Sequence, residues 1–226
     1  MKIFVNSLTS IRILATLILP IVWKFLPPIY LMVFVSLVLL TDFFDGLFAR
    51  IFNVRTLFGS LLDMTADKVF GIVMILIVAI YFPIYYIIAI LELLIALVNV
   101  SAALMGARTK SSFIGRVKMW VLGVSTVFGI IFIFHNDLLN IQYIKPILNF
   151  IINNEENLLL PSVFVTVGAE IMIVIDYAFK MFKELKNNKS KIKYVFKPVN
   201  EIIEALFDTE YYLANKNMPL SKHFLK

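Results

Sequence analysis

An all-α polytopic membrane protein with six transmembrane helices is the expectation from this chain, and composition and run length carry it. Apolar residues make up 61% of the 226 and charged residues only 16%. A soluble domain sits nearer half apolar with about a quarter charged. Mean hydropathy is +0.90. The apolar runs are long and do not alternate, which points to helices rather than a barrel. No cleavable leader is expected, because the first run continues into a full span without a small-residue cleavage site. There is no cysteine and there are two histidines, His135 and His223. This excludes disulfides and thiolate metal sites and argues against zinc or haem.

Six runs approach the ~20 residues that a span needs. The first extends from Leu8 to Leu26, with Pro20 expected to kink it and Pro27-Pro28 ending it. The second covers Tyr30 to Ala49, and the third covers Gly59 to Tyr81. Pro83 marks a tight turn into the fourth, Ile84 to Gly106. The fifth covers Lys118 to Phe134 and the sixth Leu160 to Phe179. Residues 1–182 are therefore read as the membrane domain and 183–226 as a basic tail. Within the tail, Val199 to Leu213 has the pattern of an amphipathic surface helix.

Basic residues set the orientation. Lys2 and Arg12 flank the first span, and Arg50 and Arg55 lie between the second and third. Arg108, Lys110, Arg116 and Lys118 lie between the fourth and fifth, and a run of lysines follows the sixth. The opposite connections hold only Lys24 and Lys145. Six spans with both termini cytoplasmic place every basic cluster on the cytoplasmic side. The basic balance is thus assigned to topology and anionic headgroups, and no nucleic-acid partner is expected. Trp23 and Trp120 are read as interface anchors.

Across the second and third spans runs the pattern Asp42-x2-Asp45-Gly46-x2-Ala49-Arg50-x8-Gly59-x3-Asp63-x3-Asp67. Asp42, Asp45 and Ala49 share one helical face, as do Asp63 and Asp67 on the next helix. A connection of about nine residues lets the two faces oppose each other. Each aspartate deep in a span costs about 2.5–3.5 kcal/mol, less near the interface. Four that repel one another need cations, and oxygen ligands alone suit Mg²⁺, Mn²⁺ or Ca²⁺. Two such ions can clamp a phosphoryl group. Gly46 and Gly59 allow a ligand close to the backbone, Ala49 keeps that face low, and Arg50 is a forked phosphate donor. The alternative is a buried ion-pair network, but Arg50 alone cannot neutralise four aspartates.

The pattern resembles the signature of the CDP-alcohol phosphotransferase family at every fixed position. Asn6-x-Leu8-Thr9-x2-Arg12 and Gly115-Arg116-Val117-Lys118 also resemble family segments. The likeness covers residues 5 to 180. It implies that Asp42, Asp45, Asp63 and Asp67 hold Mg²⁺ or Mn²⁺, with two ions. Asp67 would be the general base, with Gly46, Ala49, Arg50 and Gly59 around the CDP group. The implied donor is CDP-diacylglycerol, with transfer to a small polar alcohol and release of CMP. The implied assembly is a homodimer in the bacterial cytoplasmic membrane, with the site facing the cytoplasm.

Leu62-Asp63-x3-Asp67-Lys68 and Ile175-Asp176-Tyr177 resemble phosphatidylglycerophosphate synthases, whose acceptor is glycerol 3-phosphate, and Glu92 matches a glutamate of that group. Leu91 and Asn99 depart from it where arginines are expected, as do Met64 and Met119 where Pro and Thr are usual. A phosphorylated acceptor needs cations, and Arg116, Lys118, Arg108 and Lys110 are the candidates. Inositol phosphate is the alternative acceptor. Glu92 and Glu170, within spans, are read as structural acids. A cation transporter is the competing class, but it tends to place its ion site near the midplane, on broken helices, in repeated halves. This chain has no internal repeat.

Overall fold

The computed structural model describes residues 2–104, 113–138, 145–188, 196–215, 218 and 221–224. Among them every regular element is helical: α1 (Lys2–Phe25), α2 (Pro28–Ile51), α3 (Leu57–Tyr81), α4 (Tyr85–Leu104), α5 (Phe113–Ile133), α6 (His135–Leu138), α7 (Lys145–Asn153), α8 (Glu155–Asn188), α9 (Val199–Phe207), α10 (Thr209–Asn215) and α11 (Ser221–Phe224). Five helices, α1, α2, α3, α5 and α8, are long and apolar enough to cross a membrane, and α4 is a shorter apolar helix. All six expected spans are therefore present as helices.

The boundaries differ from expectation for local reasons. Helix α1 begins at Lys2, not Leu8, and continues through Pro20. Its polar first turns are invisible to an apolar count. Pro28 sits in the first turn of α2, where a missing N–H costs nothing. The α2–α3 connection is shorter than expected because both ends are capped. Asn53 adopts a left-handed φ of 50°, and the Val54 N–H reaches back to the Ala49 carbonyl at 3.3 Å. Asparagine tolerates that conformation better than most residues. The Thr56 hydroxyl then accepts the Gly59 N–H at 3.0 Å and starts α3. Helix α8 outruns the expected sixth span at both ends and passes through the 182/183 boundary. The expected tail helix Val199–Leu213 is two helices, broken at Asp208, whose carboxylate accepts the Glu210 N–H at 3.0 Å.

The chain forms two compact units: Met1–Val73 with Lys191–Lys226, and Met74–Ser190. In the second, α4 and α5 both pack on α8. Its core joins Ile75, Val78, Tyr85, Ile88, Leu122, Phe132 and Val163. The Tyr85 hydroxyl donates to the Ser125 carbonyl at 2.6 Å, tying α4 to α5. Lys118 and Glu92 form an ion pair, both almost fully buried. Trp120 is exposed, as a lipid-facing anchor requires, but Trp23 is buried. Large apolar side chains are exposed along all the long helices, which suits a lipid solvent.

In the first unit α1 packs on α2. The tail belongs to this unit. The Phe207 ring lies 5.1 Å from that of Phe58, and Lys2 Nζ donates to the Phe207 carbonyl at 3.2 Å.

Candidate active site

The site lies where α1, α2 and the start of α3 meet, inside the first unit. Asp42 of α2 and Asp63 and Asp67 of α3 each offer a carboxylate oxygen within 4.8 Å of the others. Helix periodicity explains part of the grouping: Asp63 and Asp67 stack one turn apart. Helix α1 explains the rest, since it packs on α2 and its Arg12 reaches acids of both α2 and α3.

At the centre of these acids stands Arg12 of α1, 3% exposed. Its guanidinium pairs with Asp42, with Asp63 Oδ1 at 2.9 Å and with Asp67 Oδ1 at 3.3 Å. Its second terminal nitrogen also donates to the Asp63 carbonyl at 3.3 Å. The sequence placed Arg12 at the edge of the first span as a topology charge. It is instead buried within α1 and is the principal cation of the acidic group. One guanidinium against three carboxylates leaves the group acidic. Hard oxygen donors of that charge fit a divalent Mg²⁺ or Mn²⁺ ion and offer nothing to a softer metal.

Asp45 behaves differently from its three companions. It is 3% exposed and accepts the Thr9 hydroxyl at 2.7 Å. The structure thus gathers three of the four expected metal ligands and holds the fourth against α1. Thr9 is the residue that spacing within α2 and α3 had no means of revealing, since its partner lies 36 positions away.

Asp45 and Asp63 also line a cavity of about 310 Å³, at the small end of ligand pockets of ~300–1,000 Å³. Gly46, Ala49, Arg50 and Gly59 all line it. Asn6, Arg55, Thr56 and Ser60 add polar groups, and Tyr212 of the tail completes the wall. The two glycines differ in reason. A Cβ on Gly59 would lie 3.0 Å from Asn6 Oδ1 and 3.2 Å from Thr56 Oγ1, so the protein itself needs the space. A Cβ on Gly46 would meet only Arg50, at an ordinary 3.7 Å, so what it protects is the cavity. Arg50 is exposed, with Nε donating to the Gly46 carbonyl at 2.9 Å, and its terminal nitrogens are the forked donors available to an anion.

The candidate acceptor residues are placed less completely. Arg116 is exposed on α5, whereas Lys118, one helical face away, is buried against Glu92. Arg108 and Lys110 lie outside the described residues.

No curated protein and no solved structure matches the chain at a significant level. A family model does: that of the CDP-alcohol phosphatidyltransferases matches residues 3–175. That span contains α1 to α5, most of α8, and every aspartate and glycine of the site, so the chain belongs to the CDP-alcohol phosphatidyltransferase family.

Proposed function

We propose that this chain transfers a phosphatidyl group from CDP-diacylglycerol to a small polar alcohol, releasing CMP, with glycerol 3-phosphate as the favoured acceptor. The observation that carries the reading is the convergence of Asp42, Asp63 and Asp67 around Arg12, beside a cavity walled by Gly46 and Gly59. Family membership supplies the reaction class: CDP-alcohol phosphatidyl transfer in phospholipid synthesis.

Asp42, Asp63 and Asp67, joined by Asp45, are the residues to hold Mg²⁺ or Mn²⁺, two ions in the form we favour. When bound, the metal would neutralise the pyrophosphate charge. Asp67 has the most exposed side chain of the three converging acids. It takes the proton from the acceptor hydroxyl as general base. The acceptor oxygen then forms a bond to the β-phosphorus. The bond from that phosphorus to the bridging oxygen breaks, and CMP leaves with the electron pair. Arg50 donates to the phosphate oxygens, and Gly46 lets the nucleotide approach the helix backbone. Positioning and fixed charge are most of what phosphoryl transfer requires. Thr9 keeps Asp45 oriented through its hydroxyl. Arg116 and Lys118 are the described candidates for an acceptor phosphate, and Lys118 would have to give up Glu92 to bind one. We place the site at the cytoplasmic face on the charge bias, and read the assembly as a homodimer.

The test is CMP release from CDP-diacylglycerol with glycerol 3-phosphate, inositol phosphate, inositol, serine or no acceptor. Glycerol 3-phosphate is expected to give the highest rate. EDTA should stop turnover and Mg²⁺ or Mn²⁺ restore it. Asp67→Asn should abolish release while CDP-lipid still binds. Undiminished activity in that variant would remove Asp67 from the base role, and turnover in EDTA would remove the metal.

A further inference from the structure

The matched family region stops at residue 175, yet a residue far beyond it lines the cavity beside the acids. Tyr212, on α10, is the sole aromatic among the described lining residues. The remaining wall is aliphatic or polar: Val5, Val54 and Ala49 beside Asn6, Arg50 and Arg55. A pyrimidine ring buried there gains most from a flat partner, and base–aromatic stacking is the usual one.

Tyr212 is held in place by a small folded assembly. Phe207, at the end of α9, packs its ring against Phe58, the residue before Gly59 of the cavity wall. Lys2 secures the same residue through its carbonyl. The break at Asp208 redirects the chain into α10. There the preceding residue, Tyr211, turns to His223 of α11, hydroxyl to Nδ1 at 3.2 Å. The Lys197 N–H donates to the Phe224 carbonyl at 2.9 Å and closes the tail on itself. Successive helical residues point about 100° apart, so the anchoring of Tyr211 leaves Tyr212 facing the cavity.

We infer that the C-terminal segment is part of the substrate site, and that the Tyr212 ring is a binding residue for the cytosine ring of the donor. This rests on the nucleotide reading of the cavity. The tail is then a wall of the site, added by this chain outside the matched family region.

The experiment uses the full chain in detergent or nanodiscs and measures CMP binding calorimetrically. Tyr212→Leu should weaken CMP about tenfold, the size expected for one lost stacking partner. Tyr212→Phe, which keeps the ring, should stay within about twofold. In turnover, Tyr212→Leu should raise KM for the CDP-lipid with little change in kcat, the mark of binding lost equally from ground and transition states. Equal CMP affinity in wild type and Tyr212→Leu would overturn the inference while leaving the nucleotide reading intact. Tyr212→Phe as weak as Tyr212→Leu would overturn the ring assignment. Wild-type chain that binds no CMP would remove the nucleotide reading, and this inference with it. Should Tyr212→Leu fail to fold, limited proteolysis of the wild type decides. Saturating CMP should slow cleavage within the tail and inorganic phosphate should not, whereas cleavage indifferent to CMP overturns the inference.

Discussion

Replacing Arg12 by glutamine tests whether the acidic group is built for a cation that outweighs one arginine. Deleting one partner of a buried ion pair costs about 3–5 kcal/mol, because the other charge is left uncompensated. Here Arg12 is buried, but the side chains of Asp42, Asp63 and Asp67 are 46%, 49% and 58% exposed. Water screens them, so the expected loss is smaller, about 2–3 kcal/mol. For a chain of this size that is a fall in Tm of roughly 5–10 °C. The fall should appear in EDTA, where three carboxylates within 4.8 Å of one another keep no full charge between them. In millimolar Mn²⁺ the ion supplies the missing charge, and the fall should shrink to less than half. The assay is thermal unfolding of wild type and Arg12→Gln in each buffer. Wild type should itself gain stability with Mn²⁺, since a ligand that binds only the folded state stabilises it. An equal fall in EDTA and in Mn²⁺ would refute the argument. It would mean that Arg12 serves the packing of α1 alone, and that the acids hold no metal.

Three further outcomes follow from the geometry. Gly46→Ala should raise Tm slightly, because alanine is favoured over glycine in a helix by about 1 kcal/mol and its Cβ meets nothing closer than Arg50 at 3.7 Å. Its methyl nevertheless enters the cavity, so KM for the CDP-lipid should rise, whereas Gly59→Ala should lower both Tm and activity. Glu92→Ala, which strands the buried Lys118, should cost about 3–5 kcal/mol in an unfolding assay, with much of it restored by adding Lys118→Met. His223 supplies a pH dependence. Burial, and then the nearby Lys197, hold its imidazole below the usual 6.5, against the opposing pull of the Met218 backbone. The folded tail therefore favours neutral His223, and the unfolded tail binds more protons as pH falls. Its contribution to stability is present above about pH 6.5 and lost as pH falls below that through the lowered folded value. Protease sensitivity of the tail should rise between pH 7.5 and pH 5.5, and His223→Gln should flatten that rise.

The spans were legible because a membrane helix announces itself by composition alone, and the acids and glycines because two helical periods and one turn fix their spacing. The tail was not. Val199 to Leu213 reads as a surface helix, and nothing local says that Phe207 will find Phe58 or that Tyr212 will reach a cavity. Lys118 is opaque for a related reason: a lysine near a loop looks available until Glu92, on another helix, is seen to hold it.

The depth of Arg12 in the bundle follows from where α1 begins. Helix α1 starts at Lys2, so Arg12 lies ten residues in; α2 ends at Ile51, nine beyond Asp42; α3 starts at Leu57, ten before Asp67. At 1.5 Å per residue each charge stands roughly 14–15 Å along its helix. The three helices run up, down and up, so these charges share one layer. Starting the first span at Leu8 moves Arg12 to four residues from its end, out of that layer and into the role of a flanking charge. An arginine inside an apolar helix needs a carboxylate at its own depth. Four aspartates facing Arg50 alone demand further cations, and Arg12, at their depth once α1 begins at Lys2, is one of them beside any metal.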